Sequence, residues 1–158
     1  MKKKLLLLLL LVANTALSAF AINKKPFTIP EVKQWKGAEG ELAISGRIVC
    51  NGAEERQVAQ QLADDYRLMF GTTLSVSQGK AKKGDIVLSL KGAKTLGEEG
   101  YTMAITGQVN IAAANRKGLY WGTRTLLQLA EQNEKHALPC GFIRSEERRV
   151  GKECSEPC

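Results

Sequence analysis

The stretch that most constrains this chain is Gly118 to Leu129, which reads Gly-Leu-Tyr-Trp-Gly-Thr-Arg-Thr-Leu-Leu-Gln-Leu. Its spacing predicts a helix over about Arg116 to Gln132, with Asn115 able to cap it. Leu119, Gly122, Leu126, Leu129 and Ala130 form one apolar stripe. Tyr120, Trp121 and Leu127 fall outside that stripe, so apolar side chains cover well over half of the circumference. A surface helix normally has one apolar face and one polar face. This one predicts two packing partners. Gly122 inside it costs about 1 kcal/mol relative to Ala, which predicts close approach of another backbone.

The elements before this helix define its setting. Residues 22 to 40 are polar, with Pro26, Pro30, Gly37 and Gly40, and read as an extended lead-in whose Trp35 covers part of a core edge. Glu41 to Val49 is expected as the first strand: Leu42, Ile44 and Ile48 share one face, Ser45 and Arg47 the other. Asn51-Gly52 breaks it. Ala53 to Phe70 is a helix with Glu54 and Glu55 in its first turn, where the helix dipole favours carboxylates. Its stripe is Val58, Ala59, Leu62, Tyr66, Met69 and Phe70, and Gly71 ends it. Short strands are expected at Thr72 to Ser77 and Asp85 to Leu90, around a loop holding Lys80, Lys82 and Lys83. Gly92 to Gly100 is a turn-rich connection. Tyr101 to Thr106 and Gln108 to Ala114 read as a hairpin around Gly107. After the long helix, Leu138 to Ile143 starts an extended segment. The implied fold is α+β, a mixed or largely antiparallel sheet with two helices packed on one face.

The 158 residues allow one domain, and both ends lie outside it. Lys2 to Lys4, the apolar run Leu5 to Val12 and the small-x-small site Ala19-Phe20-Ala21 mark residues 1–21 as a secretory signal peptide, cut after Ala21. The apolar run is shorter than the roughly 20 residues of a membrane span. The expected location is secreted or periplasmic, with no membrane association after cleavage. At the other end, residues 144–158 have no strand or helix period. Their beginning, Arg-Ser-Glu-Glu-Arg-Arg-Val-Gly-Lys-Glu-Cys, resembles an in-frame translation of a sequencing-adapter oligonucleotide. This tail is expected to be non-native, leaving 22–143 as the domain.

Little chemistry can be assigned to that domain. The formal charge of +7 falls to about +4 over 22–143, where 16 Lys/Arg face 12 Asp/Glu. No aromatics interleave the lysine cluster, which argues against nucleic acid. Asp64 and Asp65 are adjacent, but successive helix positions diverge by about 100°, so they read as a solvated face rather than an acid/base pair. His136 stands alone in a polar loop and reads as a bystander. Cys50 and Cys140 end apolar segments. An oxidising compartment would permit them to pair, but two buried thiols is the favoured reading. No catalytic residue, metal site or cofactor site is assigned.

One resemblance adds to this reading. Ala63-Asp64-Asp65-Tyr66, Gly100 to Ile105, Val109 to Ala113, and above all the Gly-x-Tyr-x-Gly-x-x-Thr-Leu-x-Gln-Leu pattern of Gly118 to Leu129 resemble the N-terminal accessory domain of bacterial beta-N-acetylhexosaminidases of glycoside hydrolase family twenty. Leu138 to Ile143 resembles the strand leading out of that domain. The resemblance spans about residues 26 to 143. It implies a following (β/α)8 catalytic barrel, whose Asp-Glu pair uses the substrate's own 2-acetamido group as nucleophile. On that implication the chain is a non-catalytic N-terminal part of an enzyme removing terminal beta-linked N-acetylhexosamine from glycans. Tyr120, Trp121 and Leu127 are then the expected barrel-facing interface. Accessory domains of this kind also precede barrels of other N-acetylglucosaminide-cleaving glycosidases, and fold does not fix which chemistry follows. A free-standing secreted module binding a glycan or protein is the third reading.

Overall fold

The computed structural model describes residues 21–92 and 94–146. The signal-peptide reading and most of the expected tail therefore lie outside the described residues. Seven strands and two long helices follow in the order β1 (Gln34–Leu42), β2 (Arg47–Val49), α1 (Ala53–Phe70), β3 (Ser75–Ser77), β4 (Ile86–Ser89), β5 (Tyr101–Ile105), β6 (Val109–Ala113), α2 (Arg116–Glu131) and β7 (Leu138–Ser145). The strands form one sheet, ordered β1-β7-β5-β6-β4-β2-β3. Pairing is antiparallel from β1 through β7 and β5 to β6, and parallel from β6 through β4 and β2 to β3. The α+β class is as the sequence implies, and the sheet is mixed. Its parallel half exists because α1 returns the chain from β2 to β3 by a helical crossover.

One sheet face is apolar and continuous. Ile48, Ile86, Val109 and Ile105 stand in one cross-strand row, and Leu88, Ile111, Met103 and Ile143 in the next. All eight are buried with Leu119, Leu126 and Leu129 of α2 and Val58, Leu62 and Tyr66 of α1 in a single core. The strand alternation and the helix stripe thus describe two sides of one interface. Met69 of the expected α1 stripe is an exception and is exposed.

The caps follow the sequence. Asn115 accepts a hydrogen bond from the Gly118 amide at 3.2 Å. Gly71 takes a left-handed conformation, φ +69°, and its amide donates to the Arg67 carbonyl. The hairpin forms with Tyr101 opposite Ala113 and Ile105 opposite Val109.

The expected strand Glu41 to Val49 is corrected. Its first two residues end β1 and its last three form β2, and these strands lie in opposite halves of the sheet. Gly46, at φ +84°, turns the chain between them. Leu42 and Ile48 are both buried, but by different neighbours. The lead-in is corrected too, since Gln34–Leu42 is the longest strand of the sheet. Its one neighbour in the sheet is β7, with an isolated bridge from Ile22 to Glu39 beside it, and its polar, Gly-containing sequence suits an edge. Trp35 fulfils its expected role: it lies over Gly141, where a Cβ would come within 2.4 Å of the indole. Strand β7 continues through Arg144 and Ser145, which pair with Thr102 and Tyr101.

Candidate functional site: the outer side of the second helix

Helix α2 has three contacting sides. The first rests on the sheet. A Cβ at Gly122 would lie 2.5 Å from Ile111 Cγ2 and 3.2 Å from the Tyr101 ring. The close approach expected there is real, but it is made by sheet side chains. The backbone approach falls one turn earlier, at Gly118, where a Cβ would lie 2.4 Å from the Gly100 carbonyl oxygen.

The second side faces α1. Arg116 donates to Gln57 at 2.8 Å, and Arg124 meets Asp65 at 2.6 Å. The Arg124 guanidinium also lies 4.6 Å from the Tyr120 ring centroid. Leu127 follows Arg124 by three positions and Tyr120 by seven, so it shares this side. Only 4% of its surface is exposed. Leu127 belongs to the core shared by both helices and the sheet, so part of the surplus apolar surface is absorbed within the domain. Asp65 is also reassigned, from a solvated face to a partner of α2.

The third side is half covered by the lead-in. The Gln128 side chain accepts from the Ile29 amide at 2.7 Å and donates to the Ile29 carbonyl at 3.0 Å. Gln132 donates to the Phe27 carbonyl at 2.7 Å. Asn23 fixes the start of this strap by donating to the carbonyls of Ala38, Gly40 and Cys140. Between strap and helix lies a cavity of about 150 Å³, walled by Ile29, Pro30, Trp121 and Gln128 and floored by Tyr101 and Thr125. The Tyr101 hydroxyl and Thr125 Oγ1 share a buried hydrogen bond. Burial pushes the Tyr101 phenol above its ordinary range, and the Thr125 bond partly opposes that. Of the three expected interface residues, Trp121 is 37% exposed and Tyr120 half-buried. The exposed Ile29, which shares the cavity wall with Trp121, was not foreseen, because nothing in the sequence ties the lead-in to α2.

Several titratable groups away from α2 have defined surroundings. Asp85 is buried and bound by the Arg47 guanidinium, the Ser45 hydroxyl and the Lys82 amide. These hold its carboxyl down at about 2, the Arg47 bond contributing most. The His136 ring lies against Phe70, with centroids 4.3 Å apart, and Nδ1 sits 3.1 Å from the Ala130 carbonyl at the end of α2. These contacts give it a packing role in the loop after α2. Cys50 and Cys140 are both free thiols, and burial raises each above the ordinary thiol range. Among the described residues no three His, Cys, Asp or Glu side chains are grouped to hold a metal. Nor, among them, is any helix long and apolar enough to cross a membrane.

A two-layer α+β unit whose organised surface is the side of a helix defines a packing domain. Residues 25–144 match the family described as glycosyl hydrolase family 20, domain 2, and the chain belongs to that family. It is similar in structure to the GH20 beta-N-acetylhexosaminidase of Streptomyces coelicolor A3(2), with TM-score 0.65 and 27% identity over 75% of this chain and 26% of that one. A Streptomyces plicatus beta-hexosaminidase gives TM-score 0.65 and 25% identity over 81% of this chain and 28% of that one. The Vibrio harveyi GH20 exo beta-N-acetylglucosaminidase shares the fold at TM-score 0.63 and 19% identity, over 84% of this chain and 20% of that one. The chain thus spans about a quarter of the length of the Streptomyces enzymes. No curated protein sequence matches it.

Proposed function

We propose that this chain is the N-terminal accessory part of a secreted beta-N-acetylhexosaminidase, itself non-catalytic, which serves a (β/α)8 barrel following in the same polypeptide. The parent enzyme removes terminal beta-linked N-acetylhexosamine from glycans. The observation that carries this reading is the family match over residues 25–144, in a chain about a quarter as long as the hexosaminidases it resembles. Export is supported by the basic start, the apolar run and Ala19-Phe20-Ala21. The barrel-facing surface is Trp121 with the edge of Tyr120; Leu127 contributes from beneath, by seating α2 on α1.

The test begins with the gene. Reading the locus past Ile143 is expected to reveal a long open frame with an adjacent Asp-Glu pair late in a barrel. The full-length product should hydrolyse a chromogenic N-acetylglucosaminide, while the 158-residue chain should not. Hydrolysis by the short chain would refute its non-catalytic role. A genuine stop soon after Ile143 would refute the enzyme reading. Saturable quenching of Trp fluorescence by chitobiose in the short chain would favour a glycan-binding module instead.

A further inference from the structure

Asn51 differs from the other described asparagines. Its side chain is exposed and makes no hydrogen bond among the described residues. The others are held: Asn23 donates to three carbonyls, Asn110 accepts from Gln108, Asn115 caps α2, and Asn133 bonds Glu41 and the Lys135 amide. Asn51 is also the asparagine followed by glycine. Gly52 has no Cβ to obstruct the approach of its own nitrogen to the Asn51 side chain.

The fold requires that glycine and leaves its nitrogen uncapped. A Cβ at position 52 would lie 1.9 Å from Glu55 Oε2, and Glu55 is held there because its Oε1 accepts from the Leu90 amide at 3.3 Å. Glu55 is the third helical residue of α1, the position from which a carboxylate can reach back to the amide of the capping residue. Here that carboxylate is turned to Leu90, and the Gly52 amide makes no hydrogen bond among the described residues. Gly52 is extended, at φ −98° and ψ 164°, so its nitrogen lies outside the helical ladder.

We infer that Asn51-Gly52 is a self-modification site, at which the domain deamidates as it ages. The Gly52 nitrogen attacks Asn51 Cγ. A new C–N bond closes a cyclic imide, the Cγ–Nδ2 bond breaks, and the proton lost from the Gly52 amide leaves in ammonia. Water then opens the imide. Addition at Cγ gives aspartate, and addition at the backbone carbonyl gives isoaspartate. Nothing is oxidised or reduced, and water is the only co-reactant. Either product places a carboxylate before the first turn of α1, where the helix dipole favours it. Isoaspartate also inserts a methylene into the main chain. The insertion falls between two anchored groups: the Cys50 amide donates to the Ser77 carbonyl at 3.1 Å, and the Gly52 carbonyl accepts from the Arg56 amide at 3.1 Å. It therefore loosens the first turn of α1. This inference needs neither a following domain nor the proposed chemistry.

The 158-residue chain, aged in mildly alkaline buffer, provides the test. An acidic shift in ion exchange is expected, and peptide mass mapping should place the first conversion at Asn51, with isoaspartate present beside aspartate. Asn51→Gln, in which the same attack would have to close a larger ring, is expected to lose the shift while folding like the parent. Conversion first at another asparagine, or an acidic shift retained by Asn51→Gln, would overturn the site. Hydrogen exchange in the first turn of α1 should be faster in the isoaspartate fraction than in fresh Asn51→Asp, which carries the charge without the methylene. Equal exchange in those two samples would overturn the loosening.

Discussion

Arg124 joins the two helices by an ion pair to Asp65 at 2.6 Å, while its guanidinium lies over Tyr120 of its own helix. Both partners of the pair are mostly shielded from solvent, so removing one leaves the other poorly compensated. Asp65→Asn is expected to destabilise the domain by about 1–2 kcal/mol. Urea unfolding of the single variants and of Asp65→Asn with Arg124→Met would give the coupling energy. A coupling near zero would mean that the helices are held by Leu127 and its neighbours alone.

Asp85 fastens the turn before β4 to β2 through Arg47, Ser45 and the Lys82 amide. Asp85→Asn is expected to cost about 2–3 kcal/mol. The pH dependence has a definite sign. The folded carboxyl titrates at about 2 against an ordinary 3.8, so its contribution is complete above that ordinary value. It is lost as pH falls from there through about 2. Thermal melts should show the parent protein approaching the Asn variant across that window. Parallel curves would contradict the assignment.

Gly122 and Gly118 test what the α2 glycines are for. Ala has the better helix propensity by about 1 kcal/mol, yet its methyl would meet Ile111 from position 122 and the Gly100 carbonyl from position 118. Gly122→Ala is expected to lower stability by about 1–2 kcal/mol, because the Ile111 side chain can give way at a cost. Gly118→Ala should cost more, since a backbone carbonyl yields less readily. Melting temperatures of the two variants check that order, and a stabilised Gly118→Ala would refute it.

The strap depends on glutamine side chains acting as a strand would. Gln128→Ala removes two hydrogen bonds to Ile29, an expected loss of about 1–2 kcal/mol. The loss should be local. Hydrogen exchange at the Ile29 amide should accelerate while that in β5 and β6 stays protected. Equal acceleration in both regions would show that the strap and core open together.

Elements with a strong internal period were legible in the sequence. Tyr101 to Ile105 and Val109 to Ala113 alternate cleanly because one face is buried throughout. The α2 stripe is legible for the same reason, as is its Asn115 cap. Strand β1 was not, because an edge strand paired on one side alone needs no apolar period; Gln34–Leu42 has one fully buried residue, Leu42. The alternation of Leu42, Ile44 and Ile48 misled because it runs across Gly46, whose left-handed turn assigns its two ends to different strands. At the helix surface, Trp121 could be placed outside the stripe, but periodicity does not say which element covers an off-stripe residue. Leu127 is buried in the common core while Trp121 lines a cavity with the strap, an outcome that sequence spacing does not encode.

The position of β7 also bears on how the molecule is made. Among the described residues it is the last strand and the only ladder partner of β1, yet it sits between β1 and β5. Gln34 meets Arg144, so β1 must wait on the ribosome for its partner through about a hundred intervening residues. Closing so long a loop is entropically expensive and slow. The hairpin of β5 and β6 can form early. The outer edge cannot be sealed until β7 has been synthesised, so the sheet is completed only after the hairpin and both helices are available.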